Sequence, residues 1–297
     1  MLIISTICAE KINTVWGPCN IEIYGGKIDK IDAIHEKVIA DTQTMVDDWG
    51  PVTVRPFSLY ITYSEKDFYN QAKGPVPEWG IAVAKRNPDR IIIQAPHVSG
   101  ITFSRLLEVI SHELNHVYLN RVKQSYSIPS WYKEGMAMRQ ADEFSMRHRL
   151  EISKAKWKNQ LFYFNDLEVF SRVRKSNATL AYAQSAAMVY AMEYFYGDKI
   201  HTNLINAMQN NISFWDAIEN ITGDERIDMQ INMEIFIEDN YNWMFLANAS
   251  KSIFVILPFI LVGGFLYKRQ RNKRILDAWE TEELLEQVDW EQGDENV

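Results

Sequence analysis

The feature that most constrains this chain is the segment His112-Glu113-Leu114-Asn115-His116, which lies in a stretch of helical spacing. Histidines at positions i and i+4 of a helix lie one turn apart on the same face. Two imidazoles can therefore bind one metal ion, with Glu113 beside them directed at a bound water. A helix with a core face and a ligand face is typical of the floor of a cleft between two lobes. The alternative is a pair of histidines on a solvated surface. The core face is an apolar stripe away from the histidines, made of Phe103, Leu106, Leu107, Ile110, Leu114 and Val117.

Cysteine usage limits which residues can hold such a metal. The chain has two cysteines, Cys8 and Cys19, which excludes both a disulfide scaffold and a cysteine-built metal site. Any metal must therefore be held by His, Asp or Glu.

A catalytic zinc needs a third protein ligand, which leaves the fourth position for water. A metzincin would place Gly at 119 and His at 122, but this chain has Leu and Val there. Glu134 follows His116 after seventeen residues, which is enough chain to finish the first helix, turn and bring a carboxylate back to the metal. Ser130 is predicted to cap this second helix. The next carboxylates in line are Asp142 and Glu143.

The pattern of apolar residues predicts an α+β fold, with a small mixed sheet lobe followed by a helical lobe. Strands are predicted around Asn20–Tyr24, Phe57–Tyr63, Ile81–Ala84 and Ile91–Gln94, and a helix over Lys30–Asp48. From Thr102 onward almost every segment has helical spacing. The strand Ile91–Gln94 is predicted to be the sheet edge to which an extended peptide substrate adds. No repeat or linker interrupts residues 10–245, so they are predicted to form one domain.

The C-terminal region contains an uncharged segment, Ser252–Tyr267, that extends back to form a predicted transmembrane helix at 246–267. The alternative is a buried core helix. A basic cluster follows at 268–274 and an acidic tail at 275–297. By the positive-inside rule this pattern predicts a single-pass protein of the cell membrane, with an extracytoplasmic catalytic domain and a cytoplasmic C-terminus at 268–297. The tail is a candidate docking segment for a cytoplasmic partner.

Export would require a signal at the N-terminus. Residues 1–9 are apolar and end in a small residue, so they are interpreted as a truncated signal peptide, with a first strand as the alternative. Charge excludes one class of partner: 31 basic against 39 acidic residues give a net charge of −8, which argues against a nucleic-acid binder.

The two parts of the metal motif carry a family resemblance. The sequence HELNH followed by P-S-W-Y-K-E-G-M-A resembles the gluzincin metallopeptidases, and most closely the peptidase MA-like group, whose pattern is HELxH then P-x-W-x-x-E-G-x-A. The resemblance implies that His112, His116 and Glu134 bind one zinc ion and that Glu113 is the general base. It also implies a thermolysin-like fold, with the active-site helix under a small mixed sheet.

Two further residues are candidates for roles around the metal. Tyr182 lies in a segment where related gluzincins supply a Tyr or His, so it is a candidate electrophile for the oxyanion. The alternative is a tyrosine that only packs its helix. Glu108, one turn before His112, is a candidate for orienting a ligand histidine, with a solvated surface charge as the alternative.

These observations together predict a membrane-anchored zinc metallopeptidase that acts on polypeptides through metal-activated water. The exopeptidase signature G-x-M-E-N of related aminopeptidases is absent, which favours an endopeptidase. One alternative is an inactive membrane-anchored binding or scaffold protein with the same fold. The other is a zinc hydrolase of a non-protein amide.

Overall fold

A computed structural model describes residues 7–74, 80–170, 173–242 and 257–273. The chain divides into two compact units, Met1–Asn242 and Trp243–Val297. The first unit holds a five-stranded sheet and eleven α-helices among its described residues.

The sheet is mixed, with the strand order β1-β2-β3-β5-β4. The pairs β2/β3 and β3/β5 are parallel, whereas β1/β2 and β5/β4 are antiparallel hairpins. The predicted strands are therefore confirmed, and so is the mixed α+β class. The strand bounds are β1 Ile7–Thr14, β2 Gly17–Tyr24, β3 Phe57–Thr62, β4 Ala82–Lys85 and β5 Arg90–Gln94.

The position of the edge strand differs from the prediction. Strand β5 was expected at the edge, but it lies between β3 and β4, and Ile91, Ile92 and Ile93 are fully buried. The edge is formed by β4, whose register pairs Ala82 with Ile93 and Lys85 with Arg90. An all-isoleucine segment is typical of an interior strand that is covered on both faces.

The helices follow the predicted order. The helix predicted over 30–48 is α1, and nearly all described residues after Thr102 are helical, as expected. The helix bounds are α1 Ile31–Trp49, α2 Glu65–Ala72, α3 Pro96–Ser99, α4 Phe103–Arg121, α5 Ser130–Gln140, α6 Met146–Trp157, α7 Phe164–Leu167, α8 Ala178–Tyr196, α9 Ile200–Gln209, α10 Phe214–Thr222 and α11 Arg226–Tyr241.

Helix α4 carries the histidine motif and packs against β4 and β5. Its first turn is capped by Thr102, whose hydroxyl accepts a hydrogen bond from the backbone N–H of Arg105 at 3.1 Å. Its last residue, Arg121, is buried and donates to Asp89 at 2.7 Å and to the carbonyl oxygen of Trp16 at 3.0 Å. Asp89 lies in the β4–β5 turn, so this ion pair fixes the end of α4 against the edge hairpin.

The N-terminal segment supports the strand alternative for its described part. Ile7–Ala9 pair with Glu22–Tyr24 as the start of β1, whereas residues 1–6 of the predicted signal peptide lie outside the described residues.

The predicted transmembrane helix is wrong. Among the helices that the structure describes, none is both long and apolar enough to cross a membrane. In the second unit, the described residues 257–273 are helical. Residues 246–256 of the predicted span and the whole acidic tail lie outside the described residues. The extracytoplasmic location depended on that span, and it stays an untested prediction.

Candidate metal centre

Helices α4 and α5 bring together the three side chains that the sequence predicts as metal ligands. His112 and His116 lie one turn apart on α4, and their ring centroids are 5.0 Å apart. Glu134, on α5, places one carboxylate oxygen 3.5 Å from Nε2 of His112 and 3.6 Å from Nε2 of His116. One potential ligand atom from each of the three residues lies within 4.8 Å of the other two.

These separations fit a metal ion better than direct hydrogen bonds. Zinc ligands at about 2.0–2.1 Å in a tetrahedron are about 3.4 Å from one another. A direct hydrogen bond between nitrogen and oxygen is shorter, about 2.9 Å. The two distances of 3.5 and 3.6 Å match the spacing of side chains that could hold one ion between them.

The position of Glu134 depends on a close approach between α5 and α8. Gly135, the next residue, faces α8 so closely that a Cβ atom there would lie 2.3 Å from the carbonyl oxygen of Ser185. A larger residue would push the helices apart and move Glu134. The helix begins at Ser130 itself, and Pro129 precedes it as the cap residue. The predicted side-chain cap by Ser130 is therefore wrong. The backbone N–H of Ser130 donates to the carbonyl oxygen of Glu168 at 3.0 Å.

A second carboxylate contacts His112 at Nδ1, the ring nitrogen that does not face Glu134. One oxygen of Glu143 lies 3.0 Å from Nδ1 of His112, and the other accepts from Arg105 at 2.9 Å. Glu108, a candidate for orienting a ligand histidine with a solvated surface charge as the alternative, pairs with Arg105 at 2.9 Å. The contact with His112 is made by Glu143. Sequence spacing singled out Glu143 only as a reserve ligand, because it lies beyond the end of α5 and reaches α4 through a turn that has no periodic pattern.

The electrostatics of the centre favour positive charge between these side chains. Burial alone would lower the pKa of His112, but Glu134 and Glu143 raise it to about 10. Burial would raise the pKa of Glu134, yet His116 and His112 hold that pKa far below its usual range. Two carboxylates thus stabilise a cation at the point where the two imidazoles converge.

Glu113 lies beside the three ligands with a different environment. It is 7% exposed, and its Oε2 has no hydrogen-bond partner among the described residues. Burial raises its pKa, although His116 and His112 oppose this effect. A carboxylate with a raised pKa and a free oxygen is suited to accept a proton from water near neutral pH.

Glu113 faces an open cavity together with Tyr182 of α8. The cavity is also lined by His112 and by Gly80–Ala82 at the beginning of the edge strand. The ring of Tyr182 contacts Phe170, and its hydroxyl makes no hydrogen bond to the described residues. Burial raises the pKa of Tyr182, so its hydroxyl stays protonated and can donate at neutral pH. The sequence-predicted Tyr182 is thus brought to the same cavity as Glu113.

A family model described as the peptidase MA superfamily matches residues 40–237, which is more than half of the chain. The chain belongs to the peptidase MA superfamily. The predicted resemblance to the peptidase MA-like group is therefore confirmed at the level of the superfamily.

The solved structures to which this chain is similar are zinc metallopeptidases of greater length. The M1 zinc metallopeptidase from Deinococcus radiodurans is 11% identical, with a TM-score of 0.49, over 78% of this peptidase MA chain and 52% of that one. A substitution mutant of that enzyme, bound to a Tyr-Ser-Ala substrate, is 9% identical with the same TM-score and coverage. The chain thus spans about half the length of the solved structures it matches. No curated protein matches the sequence.

Proposed function

We propose that this peptidase MA member hydrolyses peptide bonds within polypeptides, with one zinc ion held by His112, His116 and Glu134. The observation that supports this proposal most directly is the spacing of the three ligand atoms, at 3.5 and 3.6 Å from the shared carboxylate oxygen to the two imidazoles. Two nitrogens and one carboxylate oxygen are also the donor set of many catalytic zinc sites, which keep a fourth position for water.

The protein groups around the fourth ligand position have different roles in hydrolysis. Bound zinc supplies a water of lowered pKa and polarises the substrate carbonyl. Glu113 accepts the proton of the attacking water on its unpaired oxygen and later donates it to the leaving amine. The Tyr182 hydroxyl is the candidate donor to the carbonyl oxygen as negative charge develops there. Glu143 keeps the Nδ1–H of His112 engaged, so that Nε2 faces the metal.

The edge strand β4 offers the backbone that an extended substrate needs. One side of β4 pairs with β5, and the other side has no partner among the strands that the structure describes. Because Gly80–Ala82 line the same cavity as His112 and Glu113, a peptide added to β4 passes directly over the metal centre.

Internal cleavage fits the charges along this cleft. An aminopeptidase needs a carboxylate that is available to bind the free amino terminus of its substrate. The segment Gly80–Lys85 carries no carboxylate. Glu143, which lines the cavity, is already paired with His112 and Arg105. These observations support an endopeptidase.

The test combines metal content with hydrolysis of a denatured protein. We expect about one zinc per chain and cleavage that a chelator abolishes. Glu113→Gln should keep the zinc and lose turnover by about 10²- to 10⁴-fold, because it removes the general base. Glu134→Ala should lower zinc occupancy. Glu108→Gln is the matched control, since it removes a nearby carboxylate that contacts neither histidine.

Two outcomes would contradict the proposal. One is wild-type protein that binds no zinc. The other is a Glu113→Gln variant as active as wild type, which would remove the general base from the mechanism. Zinc bound without cleavage of any polypeptide would favour the binding-protein alternative.

A further inference from the structure

The cavity at the metal centre has two polar side chains that the proposed mechanism leaves without a role. They are His148, in the first turn of α6, and Thr179, in the first turn of α8. The other polar side chains that line this cavity already bind the metal, act on the water or the carbonyl oxygen, or pair with each other. Of the two unused side chains, His148 is half-buried, whereas Thr179 is exposed. His148 is therefore the one that the fold holds in the cavity wall.

A single short turn connects His148 to the metal centre. Glu143, in this turn, contacts Nδ1 of the ligand His112 at 3.0 Å, and Ser145, two residues later, is the N-cap of α6. His148 is the third residue of α6, the position from which a side chain folds back over the cap. The same turn therefore fixes a carboxylate against His112 and an imidazole in the wall of the cavity.

The hydrogen bonds of His148 decide which of its ring nitrogens carries a proton. Nδ1 accepts from the backbone N–H of Ser145 at 3.2 Å. A backbone N–H cannot accept, so Nδ1 is unprotonated and the hydrogen of the neutral ring is on Nε2. Burial lowers the pKa of His148 from the ordinary 6.5, against the opposing effect of Glu143. The ring also lies nearly parallel to that of the buried Phe144, at 12° and 6.3 Å between centroids. His148 thus offers Nε2–H as an oriented, uncharged donor.

An extended substrate has carbonyl groups that β4 cannot satisfy. A strand added to an edge pairs with that edge through every other residue, and the peptide groups of the residues between face away from it. Strand β4 packs against β5 and α4, whereas α6 packs against α8 and α11, so β4 and His148 belong to different walls of the cavity. Substrate carbonyl groups that face away from β4 are therefore directed at the wall that holds His148 and Tyr182. A carbonyl oxygen taken out of water there is unfavourable unless a protein donor replaces the water.

We propose that Nε2–H of His148 donates a hydrogen bond to a main-chain carbonyl oxygen of the substrate, other than the scissile one. This contact holds the peptide against β4 in the register that brings the scissile bond to the metal. The role of His148 rests on the proposed peptidase function. It adds the chemistry that the site recognises, a main-chain amide of an extended chain.

Two variants separate the donor from the helix cap. His148→Gln keeps an oxygen that can cap α6 and an N–H donor near the position of Nε2, whereas His148→Leu keeps neither. We expect kcat/KM for an unstructured peptide to fall about tenfold in His148→Leu and to stay within about twofold of wild type in His148→Gln. Thermal unfolding and zinc content of each protein check the cap and the metal site. Equal kcat/KM in wild type and a folded, zinc-loaded His148→Leu would overturn the proposal.

A change in the substrate tests the contact itself. In a set of peptides, a thioamide replaces one non-scissile carbonyl oxygen at a time by sulfur, a poorer acceptor, and products are measured by chromatography. We expect wild type to lose about fivefold in kcat/KM at one position. His148→Leu should lose less than about twofold at that position, because the donor is already absent, whereas Thr179→Val should show the full loss. If His148 only caps α6, His148→Leu lowers activity on all peptides equally and keeps the thioamide effect, which would overturn the proposal.

A binding measurement keeps this test separate from the peptidase proposal. The labelled amide and thioamide peptides are titrated into zinc-loaded Glu113→Gln protein, with and without His148→Leu. We expect the thioamide at the sensitive position to weaken binding about fivefold, and His148→Leu to remove the difference. Equal binding of all the peptides would refute the contact even in an active enzyme. A difference that depends on His148 in a protein that cleaves nothing would refute only the peptidase proposal.

Discussion

The carboxylate of Glu143 provides the sharpest test of how the centre is built. It accepts from Nδ1 of His112 at 3.0 Å and from Arg105 at 2.9 Å. Removing it leaves the imidazole free to rotate and lowers the basicity of Nε2. Loss of such a supporting carboxylate weakens metal binding by about 10- to 100-fold, equal to about 1.4–2.8 kcal/mol. We therefore expect Glu143→Ala to weaken zinc binding by that range.

Two further variants separate charge from geometry. Glu143→Gln keeps an oxygen that can accept from Nδ1 but loses the charge, so its zinc affinity should lie between those of wild type and Glu143→Ala. Glu108→Gln is the matched control, because Glu108 pairs with the same Arg105 without contacting a histidine. In every variant Arg105 keeps at least one carboxylate, so the fold should persist.

The assay is competition for zinc between the metal-free protein and a chromophoric chelator of known affinity. Thermal unfolding of the metal-free forms checks that each variant is folded. If Glu143→Ala binds zinc as tightly as wild type, Glu143 does not position His112. If Glu108→Gln weakens binding equally, the effect comes from general negative charge and the argument from geometry fails.

Two other predictions follow from the site and its surroundings. Tyr182→Phe should lower kcat by about 10²- to 10³-fold with zinc content unchanged, since it removes one donor to the developing oxyanion; steady-state kinetics showing a normal kcat would leave Tyr182 as a packing residue. His201 is 1% exposed, and burial lowers its pKa below the ordinary 6.5, so the unfolded chain binds the proton first as the pH falls. The free energy of unfolding should therefore decrease below about pH 6.5, by up to about 1.4 kcal/mol per pH unit, and urea titrations should show a smaller decrease for His201→Gln; identical pH dependence in both proteins would contradict this.

Most helices and strands, and the three metal ligands, could be predicted from short-range features of the sequence. A ligand pair one helical turn apart needs only the geometry of one helix, so His112 and His116 could be placed from the sequence. Glu134 could be added because a short connection limits where the next helix can lie. Glu143 could not, since its approach to His112 depends on how α5 ends and on the packing of α4 against α5.

The strand pattern of the sequence did not predict the order of the strands at the sheet edge. That order decides where a substrate is expected to bind. Both β4 and β5 have strand patterns, and sequence order does not say which lies outside. Side-chain size does carry a signal: three consecutive isoleucines need cover on both faces, whereas Ala82, Val83 and Ala84 leave little apolar surface to bury. Placing β4 at the edge moves the substrate path from Gln94 to the segment between Gly80 and Arg86.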